Sequence, residues 1–391
     1  DVERSRGLGD VYKRQNQVSF MKLTIGRDNL LQLIAKLHSI VPAKPAIPIL
    51  SNILIEAKGN EITISATDLM VSMKIQGLAH VEEDGSATIP AKRFFSLMRE
   101  LTTERIEISQ NNDEVTIRSG ASYFKLHGMP SAEFPAIPTF YEIDSLALPS
   151  ILLKDALHRV SFAAARDDSR NVLNGIFFRL DKELLTLIGT DGKRLAKLML
   201  PQSLAIPEPR DFVIPLKGIE EIEKILDGNG DVRLFFLQDM IILQIDHITL
   251  FIKLLSEKFP DVDKIIPDSK QMTSMVLHRE ELISLLKQIS LFTSEIVSSV
   301  RFIFENNELH LFAVNSEIGE GRVRMPVSYT GEKLEMAFHP TYFLDILRHS
   351  KDETIQLHIT DPFNPGLITD STSALFIIMP MRILASSPHV P

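Results

Sequence analysis

The chain of 391 residues has no cysteine, which excludes disulfide scaffolding and thiolate zinc sites and suits a reducing compartment. No apolar run reaches the roughly 18–20 residues that a membrane-spanning helix needs, and no signal peptide precedes the first patterned segment. Signatures of common chemistry are missing as well. There is no GxxxxGK[ST] phosphate loop, no HExxH and no GxSxG, and the 11 histidines are scattered without ligand spacing. Two acidic pairs, Asp167–Asp168 and Asp261/Asp263, could tempt a two-metal nuclease reading. Each sits in a polar loop, where solvation or capping accounts for it. Asp191-Gly192 reads as a turn between strands.

What the chain has is repetition. A short strand, a helix with a leucine-rich face and paired β-branched strands occur from Met21 to Met73, from Leu146 to Met199 and from Met275 to Met325. The second half of each segment repeats too, with helices in IPAKRFFSLMREL, IPLKGIEEIEKIL and FHPTYFLDILRHS, each followed by alternating strands. Two segments close alike, in SAEFPAIP at Ser131 and SEKFPDVDKIIP at Ser256, where proline bars continuation of a central strand. The expected fold is therefore α+β, three tandem copies of one domain, each β-α-β-β-β taken twice. The expected boundaries are 21–145, 146–273 and 274–391. Copies of about 120 residues can each bury a core, and 44% hydrophobic with 24% charged residues is an ordinary globular composition. Residues 1–20 lack the period; SRGLGDVYKRQ reads as adaptor-derived sequence or a short disordered arm, with Met21 as the native start.

Charge is segregated. Leu30, Leu31, Ile34 and Leu37, then Leu153, Ala156, Leu157 and Val160, then Leu282, Leu285, Leu286 and Ile289 recur at helical spacing and should pack on a sheet. The opposite faces carry Arg27, Lys36, Lys154, Arg159, Arg279 and Lys287. The six expected helices sum to +4, against −9 for the whole chain. If they share one surface, that surface attracts phosphate while the rest repels it; if they do not, these are solvated helix faces. The repeat architecture favours the first.

The runs MKLTI, LSNILIEA, ATDLMVSM, IPAKRFFSLMREL, LNGIFFRL, GTDGKRLA, FPDVDKIIP and MPMRI, in this order from Met21 to Ile383, resemble the bacterial β sliding clamps. The resemblance implies a cytoplasmic, nucleoid-associated, non-catalytic accessory subunit of DNA polymerase III, with no cofactor and no metal. Each chain would supply half of a closed ring, helices inside and sheets outside, two chains closing head to tail around duplex DNA. Its partners would be the polymerase III catalytic subunit, the clamp loader and other clamp-binding proteins such as repair polymerases, mismatch-repair proteins and ligase. A weakly attracting helix layer suits a protein that must slide.

By the same resemblance, Lys44, Lys92, Arg99, Arg166, Arg170 and Lys217 would touch DNA. Members of the family carry an aromatic pair before Leu-Asn-Gly, where this chain has Asn171 and Val172, so stacking on single-stranded ends is not expected of it. Phe124 and Leu126 would meet Leu291 and Phe292 of a second copy, with Arg93 facing Glu317. A partner-peptide groove would be lined by Leu173, Thr190, Gly192, Arg194, Leu195, Pro260, Ile265, Tyr342, Phe363, Pro365, Ile377, Met379, Pro380 and Met381, with Lys193, Lys264 and Arg382 at its rim. Adaptable methionines suit varied apolar peptides. The tail LASSPHVP from Leu384 extends beyond the family's usual end and is expected to be disordered. A metal-dependent nuclease or transferase of the replication machinery stands as the alternative from another class.

Overall fold

The computed structural model describes residues 20–139, 145–204, 206, 208–227, 229–293 and 298–383. The leader before Phe20 and the tail from Leu384 lie outside them. Among the described residues are six α-helices: α1 (Arg27–Leu37), α2 (Ala91–Glu100), α3 (Ser150–Ser161), α4 (Leu216–Ile225), α5 (Arg279–Ser290) and α6 (Pro340–His349). Each follows directly on a short strand and precedes a run of three, so β-α-β-β-β occurs twice in every copy, with one extra strand, His80–Glu83, in the first. The threefold α+β organisation is borne out.

The pairing within a copy is an exchange between its halves. In the first copy the opening strand Phe20–Gly26 pairs along its length with Arg105–Asn111 of the second half. The strand opening the second half, Gly85–Pro90, pairs with Asn52–Lys58 of the first. Neither half can form its sheet without the other.

The described chain falls into two compact units that divide the middle copy: residues up to Ser150 with Glu220–Lys253, and Ile151–Ile219 with the residues from Leu254 onward. Sheets that run across copy boundaries explain the division. In the first unit Val71–Leu78 pairs antiparallel with Ile248–Lys253, from Val71↔Ile252 to Ile75↔Ile248, completing an eight-stranded sheet. In the second, Arg194–Pro201 pairs with Ala374–Ile378, from Arg194↔Ile378 to Leu198↔Ala374, completing another. Each unit also holds a smaller sheet, of five strands ending at Ser122–His127 and of four ending at Gly319–Pro326.

Helices cover one face of the strands. Along Val71–Leu78, Val71, Met73 and Ile75 are buried while Ser72 and Lys74 alternate with them, the period of a half-covered strand. Gly77 leaves room for α1, since a Cβ there would come within 2.6 Å of Leu33 Cδ1. Burial of each such leucine stabilises by about 1.5–3 kcal/mol.

The buried stripe departs from expectation in two helices. In α1 Leu33 is buried and Leu31 only partly; in α5 Ile283 takes the place expected for Leu285. In α3 all four expected residues are buried.

Three arginines expected on the outward faces are instead structural. Arg27 donates to the carbonyls of Met98 and Arg99, and Arg279 to those of Leu347 and Ser350. Each thus satisfies acceptors that the end of the copy's second helix leaves unpaired. Arg159 is 2% exposed and pairs with Asp370, whose side chain is sealed from solvent, with Thr372 Oγ1 and the His349 carbonyl completing its hydrogen bonds. Lys36, Lys154 and Lys287 are exposed.

Candidate partner-binding site

Strand Gly175–Asp181 is buried at nearly every position, so both of its faces are covered. On the face away from the helices, Phe177, Ile188, Leu195, Val213, Leu367 and Ile377 form one apolar cluster with Phe259 and Val262 of the segment after residue 254. Phe259 stacks on Phe177, ring centroids 4.9 Å apart. Lys197, on the same face, reaches Asp263 at 2.6 Å and ties the segment down.

Beside this covering segment lies a cavity of about 470 Å³. Leu173 lines it from the 3-10 turn Asn171–Leu173, Thr190, Leu195 and Ile377 from the sheet, Pro260 and Ile265 from the covering segment, and Gly192, Arg194 and Met379 from its end. Nine residues expected in a partner groove are thus brought together. Ile265 and Met379 are partly open to solvent, at 49% and 38%.

The turn at the cavity's end is built by its own side chains. Thr190 Oγ1 accepts the Gly192 N–H, and Asp191 Oδ1 accepts those of Lys193 and Arg194. Gly192 has φ +82°, a conformation that favours glycine. Arg194 is held at 3.2 Å by Asp191 and at 2.6 Å by Asp345, and lies over the Tyr342 ring at 4.7 Å. The turn is the one expected of Asp191-Gly192.

Other expected groove residues stand outside this lining. Lys193 and Tyr342 line a smaller adjoining cavity of about 330 Å³, which shares Arg194. Lys264 is exposed and pairs with Asp261 at 3.0 Å. Phe363 is 84% exposed; Pro365, Pro380 and Met381 are partly buried and Arg382 is exposed. The Met381 N–H donates to the Ala337 carbonyl.

Sequence reasoning missed Val172 and Val262, both in the lining. Val172 occupies the position noted as lacking an aromatic ring. Arg170, expected at DNA, forms part of the cavity wall. Its guanidinium Nε–H and Nη2–H donate to the two Asp168 carboxylate oxygens at 2.9 Å, and that interaction, with the Arg170 backbone N–H, holds the Asp168 carboxyl down at about 2. Three of the four carboxylates of the nuclease alternative are engaged by cations: Asp168 by Arg170, Asp261 by Lys264 and Asp263 by Lys197. Among the described residues no group of three His, Asp or Glu is placed to hold a metal ion, and no helix is long and apolar enough to cross a membrane.

Lys44, Lys92, Arg99, Arg166 and Lys217 are all exposed. On the outer strand Ser122–His127, Tyr123 is 50% exposed while Phe124 and Leu126 are partly buried. Leu291 is 72% exposed, and Phe292 packs over Gly321, where a Cβ would approach its ring to 2.8 Å. Arg93 and Glu317 are exposed, Glu317 beside Ile318 at 59%.

Three models of one family match the chain in tandem: DNA polymerase III beta subunit, N-terminal domain, over residues 21–138; central domain, over 147–261; and C-terminal domain, over 263–382. The chain is 46% identical over 364 residues to the beta sliding clamp of Chlamydia muridarum, covering 93% of this chain and 99% of that one. To the beta sliding clamp of Escherichia coli K12 it is 30% identical over 372 residues, covering 93% and 100%. The crystal structure of the DNA polymerase sliding clamp from Bacillus subtilis superimposes with a TM-score of 0.89 at 26% identity, covering 94% and 100%. These likenesses support the clamp reading and not the nuclease alternative.

Proposed function

Because the chain belongs to the DNA polymerase III beta subunit family, the bacterial β sliding clamps, we propose that two copies close head to tail into a ring around duplex DNA. Its function is that of a clamp, a non-catalytic processivity factor for replication. The observation that carries the closing of the ring is the pair of outer strands, Ser122–His127 and Gly319–Pro326, each laddered on one side only. Exposed apolar groups accompany both: Tyr123 on the first, Leu291 and Ile318 beside the second. An open strand edge with apolar neighbours invites pairing with another chain. Phe124 and Leu126 meeting Leu291 and Phe292, with Arg93 facing Glu317, would bury both edges.

Lys44, Lys92, Arg99, Arg166 and Lys217 would neutralise phosphates weakly and without reading bases, as sliding requires. Arg170, held by Asp168, belongs rather with the groove. The cavity at Leu173, Thr190, Leu195, Ile377 and Met379 would take a short apolar peptide from the polymerase III catalytic subunit, the clamp loader and other clamp-binding proteins.

Topological retention is the testable core of this reading. Protein loaded on circular duplex DNA should co-elute with it, and linearising the circle should release the protein. Retention on the linear product would refute encirclement.

A further inference from the structure

The turn that ends the cavity in the second unit has a counterpart in the first. Leu69 N–H donates to Thr67 Oγ1 at 3.0 Å, and Asp68 Oδ1 accepts the N–H groups of Met70 and Val71 at 2.9 and 2.7 Å. Thr190, Asp191 and the three residues after them make the same three bonds. In each unit the strand across the join then bonds to the turn: Lys253 N–H to the Met70 carbonyl, Met379 N–H to that of Lys193, both at 2.9 Å. A short 3-10 turn precedes the neighbouring strand in both, Pro48–Ser51 and Asn171–Leu173. Phe134 is buried on Ile49 and Leu50, as Phe259 is in the cluster containing Val172 and Leu173.

Within this shared frame the side chains differ. Where the second unit has Gly192 at φ +82°, the first has Leu69 at φ +77°, a left-handed conformation that a leucine rarely adopts. Leu69 is 40% exposed, Met70 beside it 43%, and Ile47, next to the 3-10 turn, 47%. The register Leu54↔Ser65 brings the start of its strand, and hence the 3-10 turn, to the same end of the sheet as residues 67–70. Lys253 is exposed and stands where the second unit has Met379. The acids at hand are Asp68, whose Oδ1 is occupied by two backbone N–H groups, and exposed Glu133 in the 3-10 turn just before Phe134. The patch is therefore apolar with a cation at its margin, and its complement is an apolar side chain beside an acid.

We propose that Ile47, Leu69 and Met70 form a second docking surface, which takes an extended partner peptide with large apolar side chains next to an aspartate or glutamate. The surface repeats the backbone of the groove but asks for charge at the place where the groove offers a methionine.

The test uses the full chain and a labelled peptide, Gly-Asp-Leu-Phe-Asp-Gly, titrated to saturation with stoichiometry read by calorimetry. Two peptides per chain are expected. Leu69→Gly should leave one, and Met379→Ala with Pro380→Ala should also leave one, at the other place. Lys253→Glu, or lysines in place of the peptide's aspartates, should weaken the Leu69 site about tenfold. Glycine adopts φ +77° without strain, so Leu69→Gly should melt no lower than the parent; if it does, Leu69→Asn, tolerated in the same region, serves instead. A stoichiometry of one that Leu69→Gly leaves intact and the Met379 variant abolishes overturns the proposal while keeping the groove. Binding that Leu69→Gly lowers while the Met379 variant leaves it unchanged overturns the groove reading and supports this one.

Discussion

The joined edges and the open edges of this chain are made from the same kind of strand yet meet different fates. Val71–Leu78 and Ile248–Lys253 each lay a strand edge against the other, and the face of Val71, Met73 and Ile75 is sealed. Ser122–His127 ends its sheet with Tyr123 half exposed and Phe124 and Leu126 partly buried. A join made inside the chain tolerates full burial because the covalent connection brings its strands together. An edge that is to meet another molecule, as proposed for this one, keeps its apolar groups few and flanks them with charge, here Lys125 paired to Glu114; this limits unwanted pairing.

Substituting aspartate at each kind of edge should break the comparison most sharply. Ile75 is fully buried at the join, and Ile75→Asp places an unpaired carboxylate in the core, a loss above about 4 kcal/mol. Little soluble protein is expected. Phe292→Asp should instead give a folded chain of unchanged circular dichroism whose mass by light scattering is half that of the parent. An unchanged mass would remove Phe292 from the closing surface, and well-folded Ile75→Asp would show that the join is not part of the core.

Much of this division was readable from residues alone, and what was not has physical causes. Alternation in LSNILIEA and EITISATDLM marks strands because the face contacting helices needs an apolar residue at every second position. The exchange of opening strands between halves was not readable, since register depends on which edges meet rather than on any one strand's pattern. Arg27, Arg159 and Arg279 look like solvated charges on a helical wheel. Only the end of a second helix, or a carboxylate more than 200 residues away in the case of Asp370, shows that they have structural partners. The groove was recovered largely through resemblance. Its apolar floor could be expected from hydropathy, whereas Arg170 as a wall depends on the local pairing with Asp168.

Arg159 sharpens the comparison at the second join. Its guanidinium and the Asp370 carboxylate are sealed from water, while the pair on the open strand, Lys125–Glu114, is roughly half exposed. Arg159→Ala leaves a buried carboxylate without its cation and should cost about 3–5 kcal/mol. Lys125→Ala removes only a solvent-screened pair and should leave the unfolding midpoint essentially unchanged. Chemical denaturation of both variants checks this, and equal small losses would mean that Asp370 finds water once Arg159 is gone.

Acidification should act on the joined side through neutral histidines. Burial is the first cause lowering the affinity of His339, His349 and His358 for a proton; the cations Lys193 and Arg194 add to it at His339, and His158 adds to it at His349. Their folded values lie below the ordinary 6.5, so below that pH the unfolded chain binds more protons than the folded one. Their contribution is complete above pH 6.5 and is lost as pH falls through the depressed folded values. The melting temperature should drop between pH 7.5 and 5, by about 2–4 °C for each kcal/mol lost in units of this size. His349→Gln should flatten that slope. Over the same range the Arg170–Asp168 pair stays ionised, because Asp168 takes up its proton only near about 2, so the pair itself should not weaken peptide binding at the groove. A flat melting profile would mean that the folded chain protonates these histidines as readily as the unfolded one, and that the burial around His349 admits water.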